Sequence, residues 1–329
     1  MESLRIAHFS NLYLNYYFED LKIPPDVAEK AAKFIKIRFT ETIENLINKN
    51  IDAIIFSGNT LYFDNMLPRD VREFDSVLKK FGRKVYIVPG PIDPYSLYSK
   101  FRFSDNVVIF NENKITKDKF DDSIYFYGIG GKLKSLDLIN SIATSRSAIN
   151  IFCSFLQDFD SNNFSNFDNF NYLAMGGRDS DFSNQNLYFP GSFSVYNWNI
   201  GSSTYLISYV SRKENSVSKH FSNTPKFYSM TVNFSKKINI NEYLKSILIK
   251  EEYKESILRL YLEGRSFDFV DENELLNQMK DHFSYIEIIN KLVPDKRSLK
   301  KLESSFANIV EDRSLLYSGI QFLRGKGDY

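Results

Sequence analysis

Three short apolar runs, each closed by a small residue and separated by helix-patterned segments, constrain this chain more than any other feature. LRIAHFS (4–10), IDAIIFSG (51–58) and KVYIVPG (84–90) are mostly apolar without strict alternation, as strands buried on both faces are. Between the first two, Ala28, Ala31, Ile35, Phe39, Ile43 and Leu46 recur at spacings of three and four, which predicts a helix over 26–49. Between the second and third, Val71, Phe74, Leu78 and Phe81 predict another over 68–82. Strand, helix, strand, helix, strand is an α/β pattern with a parallel sheet. Such folds place their chemistry at the loops following the strands.

The middle of the chain is patterned differently. Strand-like segments at 106–110, 124–131, 148–155, 170–177, 185–192 and 203–210 are interrupted by one helical stretch, 133–147. A second sheet packed on the first is expected. Residues 160–171, rich in Asn, Ser and Phe, are predicted to form a surface loop, and 211–226 a linker. Beyond it come strands at 227–235, 255–264 and 285–289 with helices at 241–250 and 271–282, a compact α+β unit. From Ser298 onward Leu299, Leu302, Phe306, Ile309, Leu315, Leu316, Ile320 and Leu323 repeat at helical spacing. The expected division is therefore 1–211, linker 212–226, an α+β domain over 227–292 and a helical segment over 293–329.

Composition narrows the chemistry. The 329 residues carry a formal net charge of +1, so no global field draws the chain to nucleic acid or acidic lipid. Any DNA contact needs a local patch. Cys153 is the single cysteine, which rules out an internal disulfide and a Cys-rich zinc site; its strand-like setting predicts a small buried hydrophobe. The three histidines, His8, His220 and His282, are far apart in sequence. His8 reads as a core residue, His220 as exposed, and His282 as the end of a helix, where a cation suits the dipole. No apolar stretch approaches the ~20 residues of a membrane span, and the N-terminus enters strand pattern directly, so the expected location is cytoplasmic.

In order and spacing, the strand ends resemble the calcineurin-like metallophosphoesterases, in particular SbcD-type DNA repair nuclease subunits. That family carries D-x-H, GD, GNHD, a lone His and GHxH at five strand ends. Here the same five scaffolds occur in order over about 200 residues. PGS at 190–192 resembles the stretch following GHxH, and ILRLYLEG with the later YIEII resembles the family's capping domain. The resemblance implies a two-sheet metallophosphoesterase sandwich flanked by helices, a small α+β capping domain and C-terminal helices.

The implied ligands are nearly all replaced. Asn11 and Tyr13 stand at D-x-H, and Gly58 with Asn59 at GD. Gly90, Pro91, Ile92 and Asp93 stand at GNHD, Ser154 (within one residue) at the lone His, and Gly176, Gly177, Arg178 and Asp179 at GHxH. Only Asp93 keeps its family identity. Two Mn or Mg ions, which the family uses to polarise phosphate and activate water, need clustered carboxylates and imidazoles to offset their charge. Neutral amides bind weakly, and Pro91, Ile92 and Gly177 offer no ligand, so neither metal nor catalytic residue is expected. Clustered empty carboxylates would repel one another, and amides relieve that repulsion. Tyr13, with Tyr16 and Tyr17, either fills the former metal cavity or covers the helix behind it. Pro89, Pro91 and Pro94 stiffen the former catalytic loop.

The resemblance thus implies a catalytically inactive, SbcD-like subunit that partners an SMC-like coiled-coil ATPase of SbcC type in DNA repair. Leu315, Leu316 and Ile320 are the docking candidates. Lys132, Lys134, Arg178, Arg212 and Lys213 are candidates for weak duplex DNA contact. A homodimer is expected through the helix at 26–49, where Phe34, Ile37 and Phe39 depart from a single stripe. Two alternatives stand beside this reading. One is a residual metal-dependent phosphodiesterase or exonuclease, with one Mg²⁺ on Asp93, Asp179, Asn11 and Asn59. The other is a stand-alone binding module with a repurposed pocket.

Overall fold

The computed structural model describes residues 3–133, 137–156, 167–198, 202–234, 256–266 and 272–294. The expected helix at 241–250, most of the 160–171 loop, Lys134 and the C-terminal helices lie outside them. The chain divides into two compact units, Met1–Pro225 and Lys226–Tyr329.

The first unit is built on two six-stranded sheets. One runs, edge to edge, β12 (Asn215–Phe221), β11 (Thr204–Ser211), β1 (Ser3–Phe9), β2 (Ala53–Ser57), β3 (Lys84–Val88) and β4 (Val107–Ile109). β1 to β4 are parallel, and β11 turns antiparallel beside β1. The other runs β5 (Thr116–Asp121), β6 (Ile124–Lys132), β7 (Ile149–Phe155), β8 (Tyr172–Gly176), β10 (Leu187–Pro190) and β9 (Asp181–Asn184), parallel from β6 to β10 with both edges antiparallel. Ile6, Ile55 and Tyr86 of the first sheet meet Phe126, Ile151 and Tyr172 of the second in one fully buried core. The Tyr86 and Phe126 rings stack across it at 3.9 Å.

Helices α1 (Pro25–Asn48) and α2 (Pro68–Phe81) cover the outer face of the first sheet. Phe39 of α1 and Phe74 of α2 both pack on Phe56 of β2. Phe39 is therefore core, as its spacing with Ile35, Ile43 and Leu46 requires, and not a dimer-face residue; Phe34 is half-buried under the Arg38 guanidinium and Ile37 is exposed.

Three strands escaped the sequence reading, and all three are sheet edges: β5, β9 and β12. An edge strand contacts solvent on its free side and needs no apolar run, so TKDKFD, DFSN and NSVSKHF look like loops. The expected linker 212–226 thus contributes β12, and the units divide at Pro225. His220 lies in that strand, half-buried and stacked on Tyr205, not free on a linker. The helix expected over 133–147 is a four-residue turn, Asp137–Asn140, among the described residues. Leu133, Ile139 and Ile142 still pack on the second sheet's outer face, but Ser141 and Asn150 side chains bond nearby backbone carbonyls and compete with helical turns.

The second unit holds three parallel strands, β13 (Phe227–Phe234), β14 (Ile257–Ser266) and β15 (Tyr285–Pro294), in sequence order. The helix Glu272–Met279 seals one face with Leu275 and Met279 over Leu258, Leu260 and Leu262.

A polar line crosses the first unit's core. Ser208 donates to the Tyr172 hydroxyl at 3.1 Å, and that oxygen stands 3.2 Å from His8 Nδ1. His8 Nε2 stands 2.8 Å from Ser57 Oγ, which donates onward to the Phe9 carbonyl. Because the Ser57 proton is used on Phe9, Ser57 accepts from His8; the proton is on Nε2, and Nδ1 accepts from Tyr172. His8 is satisfied as the neutral ring, and burial lowers its pKa from 6.5 to about 3.

The unfolded chain takes up a proton at His8 as pH falls below 6.5, while the folded chain holds out to about 3. Stability is therefore lost as pH drops through this window, by about 1.4 kcal/mol per pH unit. Urea titrations at pH 6.5 to 4.5 on His8→Gln are expected to show a slope shallower by about one proton than the wild type. An unchanged slope would refute the neutral-histidine assignment.

Candidate functional site

The loops following β1, β2, β3, β8 and β10 meet at one edge of the sandwich. Their approach is very close: a Cβ at Gly176 would overlap the Ser57 carbonyl, so the end of β8 tolerates only glycine against the end of β2. The loops are zipped by backbone bonds beyond the strands. Asn11 N donates to Gly58 O, Tyr13 N to Asn59 O and Leu14 N to Thr60 O, all at 3.0 to 3.1 Å. Phe193 N donates to Ser10 O at 2.9 Å. Asn11, Tyr13 and Asn59 all have positive φ, near 50°. Asn accepts this left-handed conformation readily; Tyr does so at a cost, and such strain concentrates at functional edges.

Asp93 lies beneath this edge, fully buried. One carboxylate oxygen accepts from Asn59 N at 3.0 Å and Gly90 N at 2.7 Å. The other accepts from Thr60 N at 2.7 Å, Leu61 N at 3.3 Å and the Tyr98 hydroxyl at 2.7 Å. Burial pushes its pKa up to about 6, against the donors that pull it down, so the group is ionised at neutral pH. Gly90 is glycine because a Cβ there would collide with Asn59.

Asn11 and Asn59 sit above it as a linked amide pair. Asn59 Nδ2 donates to Asn11 Oδ1 at 3.0 Å and to the Tyr13 hydroxyl at 3.2 Å. Asn11 Nδ2 is shared among the Arg178 carbonyl, Asp179 Oδ1 and Ser192 Oγ at 3.1 to 3.3 Å. The same Asp179 oxygen accepts from Ser192 Oγ at 3.1 Å and the Tyr196 hydroxyl at 2.5 Å. Tyr13 and Tyr196 pack with ring centroids 4.0 Å apart. Burial above all, with the Asp179 carboxylate adding to it, raises both phenols' pKa, so they stay protonated.

Asn11, Tyr13, Asn59, Asp93, Gly177 and Asp179 are thus brought to one edge. Pro91 is exposed and Ile92 half-buried on the turn leading to Asp93. Ser154 is buried with its hydroxyl turned to the Ile129 carbonyl at 3.3 Å, and its neighbour Phe155 packs its ring against Gly58. Of the tyrosines, only Tyr13 joins the network; Tyr16 donates to Asp20 and packs on Tyr62, and Tyr17 is exposed. Ser192 and Tyr196 are members that sequence reasoning did not assign. Ser192 had a signal, the PGS stretch; Tyr196 had none, since only folding carries it to Asp179.

The cationic candidates do not converge. Lys132 ends β6, and Arg178 follows β8, at the site edge. Arg178 is laid over the Phe182 and Phe189 rings at 5.2 and 5.6 Å. Arg212 and Lys213 turn between β11 and β12, beside Ser3 at the start of β1 and so at the opposite edge. Leu315, Leu316 and Ile320 lie outside the described residues. Among the described residues no three His, Cys, Asp or Glu side chains cluster to hold a metal.

The donors fall on both oxygens of Asp93 but on a single oxygen of Asp179. An amide at 93 must turn its NH₂ toward at least two donors, whereas an amide at 179 keeps its one oxygen in place. Asp93→Asn is therefore expected to cost about 2–5 kcal/mol of stability and Asp179→Asn less than about 1. Chemical denaturation of the two variants measures the difference, and equal effects would contradict the assignment.

Searches with this chain find no matching family model and no matching curated protein. Among solved structures, a conserved uncharacterized protein from Streptococcus pneumoniae TIGR4, described as a predicted phosphoesterase, is similar at 12% identity and TM-score 0.35, over 69% of this chain and 94% of that one. A dimetal phosphatase from Danio rerio is similar at 9% identity and TM-score 0.37, over 65% and 98%. The two-sheet α/β architecture rests on the strand pairings of this chain, not on these distant likenesses.

Proposed function

We propose that this protein is a catalytically inactive, SbcD-like subunit that serves a coiled-coil ATPase of SMC type as a structural partner in DNA processing. One observation carries the loss of activity: the one carboxylate kept from the family pattern is fully engaged by protein donors, and the side chains around it are mostly neutral. Asp93, the carboxylate at the position where the family pattern is kept, accepts from five donors and has no lone pair directed away from the protein. Asn59 donates its amide to Asn11 and Tyr13, and Asn11 donates its own to Asp179 and Ser192, which leaves Asn59 Oδ1 as a buried oxygen without a partner, neutral and so a weak ligand. This donor set does not fit a pair of divalent cations, whose charge needs several free anionic ligands. Nor does it fit a single Mg²⁺, since Asp93 would have to release the backbone of two loops.

The ATPase partner rests on the resemblance alone, through the capping-domain stretch and the helical spacing of 298–324. Lys132 and Arg178 are the cations at the site edge, and any duplex contact there is weak and salt-sensitive. A homodimer through α1 is part of the same proposal, with Ile37 and Phe34 as its apolar contribution.

After dialysis against excess Mn²⁺, metal analysis is expected to find no stoichiometric ion, and nuclease assays with Mn²⁺ or Mg²⁺ no turnover. Two bound ions per chain, or activity abolished by Asp93→Ala with Asp179→Ala, would overturn the reading. Co-purification with a large coiled-coil ATPase is expected, weakened by Leu316→Glu with Ile320→Glu at unchanged melting temperature. Loss of thermal stability with association intact would instead place the tail on its own domain.

A further inference from the structure

A cavity of about 270 Å³ opens between α1 and α2, under the loops that follow β1 and β2. Its wall is apolar where the helices meet the sheet: Leu14, Phe39, Phe74 and Val77, with the Phe39 and Phe74 rings stacked at 5.6 Å and 25°. Its polar side carries Lys36, Asp70 and Glu73, with Arg69 flanking Asp70 from outside the lining. Lys36 is committed to Glu73 by a direct ion pair. Asp70 is the unequal member. Its Oδ2 caps α2 by accepting from Leu67 N at 2.8 Å. Its Oδ1 stands 4.0 Å from Lys36 Nζ and 4.0 Å from Arg69 Nε, beyond hydrogen-bond reach, on a side chain only 14% exposed.

We propose that this cavity is a binding site for a small primary amine with a flat apolar body of roughly ten heavy atoms, a load fitting a cavity just below the usual ligand range. The apolar body lies against Met66 and Val77 at the open side of the cavity, since Phe39 and Phe74 are 1% and 4% exposed, and the ammonium donates to Asp70 Oδ1. A carboxylate ligand is disfavoured, because it would face Asp70 and Glu73 and would have to displace Glu73 from Lys36. Leu14 couples the cavity to the candidate site: its N–H bonds Thr60 O in the loop that holds Asp93. The proposal is independent of the loss of metal chemistry and of the ATPase partner.

Ligand-observed NMR and thermal shift on the full chain test it with three probes of one shape: phenethylamine, phenylacetate and 2-phenylethanol. Phenethylamine is expected to bind and to raise the melting temperature, with phenylacetate at least tenfold weaker. Asp70→Asn, which retains the capping oxygen, is expected to reduce phenethylamine to the level of 2-phenylethanol. Val77→Phe, which fills the cavity and leaves Asp70 in place, is expected to remove binding of all three. The proposal is overturned if phenethylamine does not bind, if phenylacetate binds as well or better, or if binding survives Val77→Phe. Should Asp70→Asn fail to fold, the probe ratio and Val77→Phe decide alone.

Discussion

The buried carboxylate of Asp93 is the constraint on which the site edge depends. A charge without solvent is tolerated only where donors surround it. Here the donors are backbone amides of Asn59, Thr60, Leu61 and Gly90, with the Tyr98 hydroxyl. Satisfying this one group fixes the ends of β2 and β3 and the turn after them. Those ends in turn carry Asn59 to Asn11. The loop after β1 is then laid along the loop after β2 by backbone bonds, and β8 is pressed against it so closely that Gly176 has no space for a side chain.

Above that charge most side chains are neutral, and Asn59 Oδ1 is left buried without a partner. Asn59 donates to Asn11, Asn11 donates to a single exposed carboxylate, Asp179, and two phenols close over them. A metal centre needs the opposite arrangement, with anionic oxygens converging on a shared point and lacking protein donors. Amides at these positions avoid the repulsion that such groups would have, and Asn11, Tyr13 and Asn59 hold a left-handed backbone. The loop geometry therefore needs no bound ion, because the backbone bonds and the Asp93 charge hold it.

The core follows a similar logic through a histidine. His8 is as buried as the isoleucines around it, yet it spans the two sheets with a directed chain from Ser208 through Tyr172 to Ser57 and Phe9. Such a chain has one polarity and one tautomer, so it specifies the relative placement of β1, β2, β8 and β11 more sharply than apolar contact alone.

What the sequence by itself determined is the set of elements whose burial is two-sided or periodic. β1, β2, β3, α1 and α2 are written in local pattern, because a central strand or an amphipathic helix must match its own residues to the core. The strand ends were legible for the same reason: Gly58, Gly90 and Gly176 mark where apolar runs stop, and the residue types at 11, 13, 59, 92 and 177, none of them an anionic or imidazole ligand, are visible residue by residue. Tertiary structure alone decided the rest. The polar edge strands β5, β9 and β12 exist because a neighbour pairs with them, and their own residues do not require it. Asp93 reads as a surviving ligand in sequence, but its partners come from 32 to 34 residues upstream as well as nearby, and only the fold shows that its lone pairs are taken. Tyr196 and Ser192 enter the site, and Arg212 and Lys213 leave it, through the placement of whole strands. Local spacing carries no information about which edge of a sheet a distant turn will reach.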